Sequence, residues 1–130
     1  MYIKFDPIKG RNAEIIDAIM ESPEVSAIPE PLKFKVRLCV EEVEENILSY
    51  SGSAWVSVDA SDDGKSLTIC FKDGGIPFDP LAKENPDITC DLQDREVGGL
   101  GIFLCKQMMD KIEYRHEDSC NILTMKLNIA

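Results

Sequence analysis

The sequence has no apolar run near the roughly 18 residues that a membrane-spanning helix needs. Its first residues, Met1-Tyr2-Ile3-Lys4-Phe5-Asp6, lack the basic-then-apolar pattern of a secretory signal. Basic residues are scarce: 14 Lys and Arg stand against 24 Asp and Glu, a net charge of −10. Such a surface repels phosphate backbones and anionic lipid, which sets aside general nucleic-acid and membrane-surface binding. A basic protein partner stays compatible, as does a small anion cradled by backbone N–H groups and a metal ion. The single histidine, His116, has no Cys or His at ligand spacing, so no structural zinc site is expected. The five cysteines, Cys39, Cys70, Cys90, Cys105 and Cys120, never stand at C-x-x-C spacing and are odd in number. They are expected to be reduced, mostly buried thiols of a cytoplasmic protein and not disulfides. Internal repeats and linkers are missing too. A chain of 130 residues, 44% apolar and 29% charged, fits one compact domain over residues 1–130.

What is present reads as alternating short elements. Met1–Phe5 alternates and suits an edge strand, broken by Asp6-Pro7. Asn12 is a candidate N-cap for a helix striped by Ile15, Ile16, Ile19 and Met20, which Ser22-Pro23 ends. A loop holding Pro29 and Pro31 leads to a longer helix, from about Pro31 to Tyr50. Its stripe is Leu32, Val36, Cys39, Val43, Ile47 and Tyr50. After the turn Ser51-Gly52-Ser53, residues 54–60 alternate. Asp62-Asp63-Gly64-Lys65 signals a hairpin, and Ser66–Asp73 returns with Leu67, Ile69 and Phe71 on one face. Gly74 to Gly99 has no sustained period, holds Pro77, Pro80 and Pro86, and is rich in acidic residues, as expected of a functional lid. Helical period resumes at Leu100, Phe103, Leu104, Met108 and Ile112. A strand near 112–116, a turn at Glu117-Asp118-Ser119 and a strand near 121–129 close the chain. The order predicts an α/β (α+β) two-layer sandwich: a mixed, mostly antiparallel sheet with helices on one face.

Four local features have chemical potential. Glu42 and Asn46 are four apart and stack on one helical face, about 100° from the core stripe. A carboxylate and a carboxamide so placed suit a divalent cation and an activated hydroxyl or water. Glu41, Glu44 and Glu45 are read as a solvated acidic face. Asp73 shares strand parity with Leu67, Ile69 and Phe71, so its carboxylate needs a donor on an apolar face. A ligand with an exocyclic amine is one candidate; an ordinary strand end is the other. Gly74-Gly75 directly after it permits close backbone approach. Gly98-Gly99-Leu100-Gly101 opens a helix, where bare N–H groups suit phosphate. No Gly-Lys-Ser/Thr follows, so this is not a Walker loop. Asn121 shares parity with Leu123, Met125 and Leu127, and either meets a ligand or caps the turn.

In this order, the segments resemble the GHKL ATPase superfamily with its Bergerat ATP-binding fold and ATP lid. Glu42-x-x-x-Asn46 resembles the N box, Asp73-x-Gly75-x-Pro77-Phe78 the first glycine box, and Gly98-Gly99-Leu100-Gly101 the second. The short chain, Asp73–Pro80 and Arg95-Glu96-Val97-Gly98-Gly99-Leu100-Gly101-Ile102 are most similar to bacterial anti-sigma-factor serine kinases of the partner-switching type. The resemblance implies that Glu42 is the general base and that Asn46 ligates Mg²⁺ held by the ATP phosphates. It implies that Asp73 accepts from the adenine amine and that Gly75, with Pro77 and Phe78 of the same box, lets the backbone approach the base. Gly98, Gly99, Leu100 and Gly101 would line the phosphates below a lid between Asp79 and Gly98. Arg95 would offset phosphate charge, or else pair with Asp94 or Glu96 at the surface. Cys120-Asn121 stands where the family often carries a Gly-Thr pair, with Asn121 as the matching adenine-side contact.

The implied function is an ATP-binding, anti-sigma-like regulatory serine/threonine protein kinase. Its partners would be an anti-anti-sigma (STAS-type) antagonist and, on the other side of the switch, a sigma factor; a homodimer is compatible. The alternative is a non-catalytic, nucleotide-gated protein-binding module.

Overall fold

The computed structural model describes residues 1–7, 12–82 and 99–130. The elements follow in chain order: β1 (Tyr2–Phe5), α1 (Asn12–Glu21), α2 (Pro23–Ser26), α3 (Glu30–Tyr50), β2 (Val56–Asp62) and β3 (Ser66–Asp73). A 3-10 turn (Pro80–Ala82), α4 (Gly99–Met108), β4 (Lys111–Glu117) and β5 (Cys120–Asn128) complete it. The five strands form one sheet in the order β1-β2-β3-β5-β4, and every pairing is antiparallel. No helix among the described residues is long and apolar enough to cross a membrane.

Alternation decides the sheet's two faces. Val58, Ala60, Leu67, Ile69, Phe71, Leu123, Met125 and Leu127 are buried in one cluster with Ile16, Ile19, Val36, Cys39, Val40, Val43, Cys105 and Met109 from the helices. Burying a side chain such as Phe71 or Leu67 contributes about 1.5–3 kcal/mol. Between β2 and β3 the turn is closed by side chains: Asp62 Oδ1 accepts from the Gly64 N–H at 2.6 Å, and Asp63 Oδ1 from the Lys65 and Ser66 N–H groups at 2.9 and 2.7 Å. Gly64 sits at φ +87°, a conformation glycine adopts without strain. The β4–β5 hairpin instead forces two side-chain-bearing residues, Asp118 and Ser119, to φ +54° and +61°.

Four details depart from the sequence expectation. Pro23 both ends α1 and starts the short helix α2, because a proline at the first helical position sacrifices no bond. The strand expected at 54–60 lies two residues later. Tyr50, placed in the core stripe, is 40% exposed and stacks on Phe78 with ring centroids 4.7 Å apart. Cys39 and Cys105 are buried free thiols, but Cys70 and Cys120 are half-buried on β3 and β5; Cys90 lies outside the described residues.

Candidate functional site

The candidate residues form two clusters. The first is where α3 meets α4. A Cβ built on Gly101 would lie 2.0 Å from Glu42 Oε2 and 2.1 Å from its Cδ, so the first turn of α4 is in contact with the Glu42 carboxylate. Residues almost sixty apart in sequence thus meet. Partial burial raises the Glu42 carboxyl above the usual carboxylate range, and the Glu45 and Glu41 charges add to it. One turn on, Asn46 is 6% exposed, and its Nδ2 donates to the Glu42 carbonyl at 2.7 Å. A carbonyl only accepts, so the amide nitrogen must face it and Oδ1 must face away. Among the described residues Oδ1 has no donor, which leaves a hard oxygen ligand available.

No group of three or more His, Cys, Asp or Glu side chains among the described residues could hold a metal ion. A lone carboxamide oxygen beside a carboxylate does fit Mg²⁺, which keeps several waters and is commonly shared with substrate phosphates.

The second cluster is at the end of β3. Antiparallel register sets Asp73 opposite Val56 on one side and Asn121 on the other. Asp73 is 2% exposed. Its Oδ1 accepts from the Gly75 N–H at 2.9 Å and from Asn121 Nδ2 at 3.0 Å. Its Oδ2 has no donor among the described residues. Asn121 Nδ2 also donates to the Ile76 carbonyl at 2.7 Å. Asn121 Oδ1 accepts from the Phe78 N–H at 3.1 Å and from the Tyr114 hydroxyl. The Tyr114 oxygen in turn accepts from the Phe78 N–H at 3.2 Å.

The turn after α3 buttresses the glycine segment. The Ser51 carbonyl accepts from the Ile76 N–H at 2.9 Å, and Ser53 Oγ accepts from the Gly74 N–H at 3.0 Å. A Cβ on Gly75 would lie 2.1 Å from the Ser51 carbonyl oxygen, so a glycine is required there by the protein's own backbone. Pro77 is exposed and Phe78 half-buried.

The fold therefore brings together Glu42, Asn46 and Gly101, and separately Asp73, Gly75, Phe78 and Asn121. Arg95 and Gly98 lie outside the described residues, as does most of the expected lid. Gly99 and Leu100 open α4, and its backbone places them at the first turn.

Sequence reasoning missed several residues. Glu44, expected on a solvated face, is 1% exposed, and neither carboxylate oxygen has a hydrogen-bond partner among the described residues. Burial first, then the Glu45 and Glu41 charges, push its carboxyl up to about 7. The reason is that α3 is covered on more than one side: Val36, Val40 and Glu44 form a buried row of their own. The four-residue spacing from Val40 was the available signal. Ser51, Ser53 and Tyr114 had none, because each acts through partners remote in sequence.

Comparison with known proteins bears on the fold and the family. Residues 9–127 match the family model of the histidine kinase-like ATPase domain. The chain is similar to the serine/threonine-protein kinase BtrW of Bordetella bronchiseptica, 26% identical over 103 residues that cover 76% of this chain and 72% of that protein. Its fold is similar to the RsbU and RsbW domains of Rv1364c from Mycobacterium tuberculosis, with a TM-score of 0.63 and 11% identity. That match covers 98% of this chain and 31% of the mycobacterial one. The catalytic domain of the histidine kinase ThkA, in a nucleotide-free form, aligns with a TM-score of 0.55 and 12% identity, over 99% of this chain and 97% of that one.

Proposed function

The chain belongs to the histidine kinase-like ATPase domain family, and from that premise we propose that it is an ATP-dependent protein serine kinase acting as an anti-sigma-like regulator. Its substrate would be a serine on an anti-anti-sigma (STAS-type) antagonist, and phosphorylation would decide whether the chain holds that antagonist or a sigma factor. The observation that carries this reading is the contact of the Glu42 carboxylate with Gly101 at the first turn of α4, one turn from Asn46, whose Oδ1 has no donor among the described residues. The similarity to a serine/threonine-protein kinase supports it.

The proposed roles follow from the atoms left uncommitted. Asp73 Oδ2 accepts from the adenine amine, while its Oδ1 is held by protein donors. The N–H groups of Gly99, Leu100 and Gly101 face the phosphates from the start of α4. Asn46 Oδ1 would hold Mg²⁺, which would supply neutralisation of the phosphate charge. Glu42 accepts the proton of the attacking serine hydroxyl. The serine oxygen then bonds to the γ-phosphorus as the bond to the bridging oxygen breaks, and ADP leaves. The raised Glu42 carboxyl is a better proton acceptor than an ordinary surface carboxylate.

The test is incubation with labelled ATP and STAS-type antagonist proteins encoded near this one. Label on an antagonist serine, lost in Glu42→Gln, is the expected result. Mg-ATP binding without transfer to any antagonist would instead favour a nucleotide-gated binding module. Failure to bind Mg-ATP would defeat both.

A further inference from the structure

Asn121 has no hydrogen-bonding capacity left for a ligand. A carboxamide offers two N–H donors and two acceptor positions. Here the donors go to Asp73 Oδ1 at 3.0 Å and the Ile76 carbonyl at 2.7 Å. The acceptor oxygen takes the Phe78 N–H at 3.1 Å and the Tyr114 hydroxyl. The residue is also 5% exposed. A base approaching Asp73 would find Asn121 already committed.

The orientation of this amide is fixed by backbone groups with one possible role each. The Ile76 carbonyl can only accept and the Phe78 N–H can only donate, so Nδ2 must face the first and Oδ1 the second. The other Nδ2 hydrogen then falls on Asp73 Oδ1. Turning the amide over would set its oxygen against the Asp73 carboxylate. Tyr114 reinforces the same orientation, because its hydroxyl donates to Oδ1. Burial pushes the Tyr114 phenol up against the lowering by the Phe78 N–H, and the Asp79 and Asp73 charges add to the rise, so that proton stays in place.

We propose that Asn121 and Tyr114 are positioning residues for purine discrimination: they hold Asp73 with Oδ2 alone turned to the ligand, and they tie that carboxylate to the placement of residues 76–78. Displacing Phe78 would remove the N–H that orients Asn121, and so disturb the donor on Asp73, its register partner across β3 and β5. Both roles rest on the reading of Asp73 as the adenine acceptor, and the experiment separates the two.

Titration calorimetry with the full chain would compare Mg-ATP with purine riboside triphosphate, which has the same phosphates and no exocyclic amine. The parent protein should prefer ATP by about tenfold or more, the worth of a charged hydrogen bond. Asn121→Leu should bring that preference to within about twofold, with affinity for the analogue nearly unchanged, since only the amine contact depends on Asp73 orientation. Tyr114→Phe removes one oxygen and leaves the Phe78 N–H on Asn121. It should reduce the preference by roughly threefold, in line with one neutral hydrogen bond.

A purely structural role predicts something different: both nucleotides weaken in parallel and the preference for ATP survives. That result in either folded variant overturns the proposal. If Asn121→Leu does not fold, Tyr114→Phe alone decides, an unchanged preference being the negative result. A parent protein that binds both nucleotides equally removes the Asp73 reading itself and this inference with it.

Discussion

The two ends of the site differ in how much of their polar chemistry is already spent. At the end of β3, the four hydrogen-bonding positions of Asn121 are occupied, and Asp73 retains one oxygen. Where α3 meets α4, the reverse holds. Among the described residues, Asn46 uses its nitrogen and keeps its oxygen, Glu42 is confined by Gly101, and Glu44 has two buried oxygens with no partner. A saturated network is stiff and suits recognition, because a wrong ligand group cannot be accommodated by re-pairing. Uncommitted oxygens are costly to a resting fold and suit groups that must take up a metal or a proton.

The largest expected break in this comparison is Glu42→Gln. Gln keeps the shape beside Gly101 and removes the base, so phosphate transfer should fall ~10²–10⁴-fold. ATP affinity should barely change. Single-turnover transfer measured beside a binding isotherm checks both; an equal loss in binding would move Glu42 to the recognition side.

The α3 oxygens should also register in stability. Glu44 titrates from the usual 4.5 up to about 7 in the folded chain. Below the lower value both folded and unfolded chains hold the proton, and no penalty arises. Between the two values only the folded chain holds it, so stability falls as pH rises. Above about 7 the full penalty, roughly 3 kcal/mol, is present. Glu44→Gln cannot ionise and should flatten the stability profile through this window. Urea unfolding at several pH values measures the slopes, and identical slopes would show that Glu44 is not desolvated.

On the saturated side, Asp73→Asn should act through orientation. The Gly75 and Asn121 donors will capture the new amide oxygen, since both need an acceptor. That turns an NH₂ toward the adenine amine, donor against donor. The expected loss is about 1.5–3 kcal/mol of ATP binding, tenfold or more, in a folded protein. Calorimetry and a circular dichroism spectrum suffice, and unaltered ATP binding would discard the adenine assignment.

The smallest effect lies outside both clusters and serves as a control. Ser119→Gly relieves a side chain held at φ +61° and should stabilise by up to about 1 kcal/mol without touching nucleotide binding. A thermal melt with a parallel ATP titration tests the separation.

Much of this was legible from local pattern. β3 runs over Ser66–Asp73 as its alternation predicts, α3 ends at Tyr50 as expected, and the spacing of Glu42 and Asn46 placed them on one helical face. Strand parity turned Asp73 toward the core and marked it as needing a donor. These inferences use periods of two and 3.6 residues, set by the backbone and readable within a few residues of the point in question. The donor's identity was not readable that way. Asn121 is 48 residues from Asp73 and faces it because β5 enters the sheet between β3 and β4 in one particular register. A slip of one residue would turn Asn121 to the other face. Glu42 meets Gly101, Gly75 meets Ser51, and Glu44 loses its water for the same reason: packing of separate elements chose their neighbours. The sequence by itself determined the main apolar stripes, where most elements ran to within a residue or two, and which polar groups stood beside them. The tertiary structure alone decided which of those polar groups were satisfied and which were left open, because satisfaction depends on atoms brought in from far along the chain.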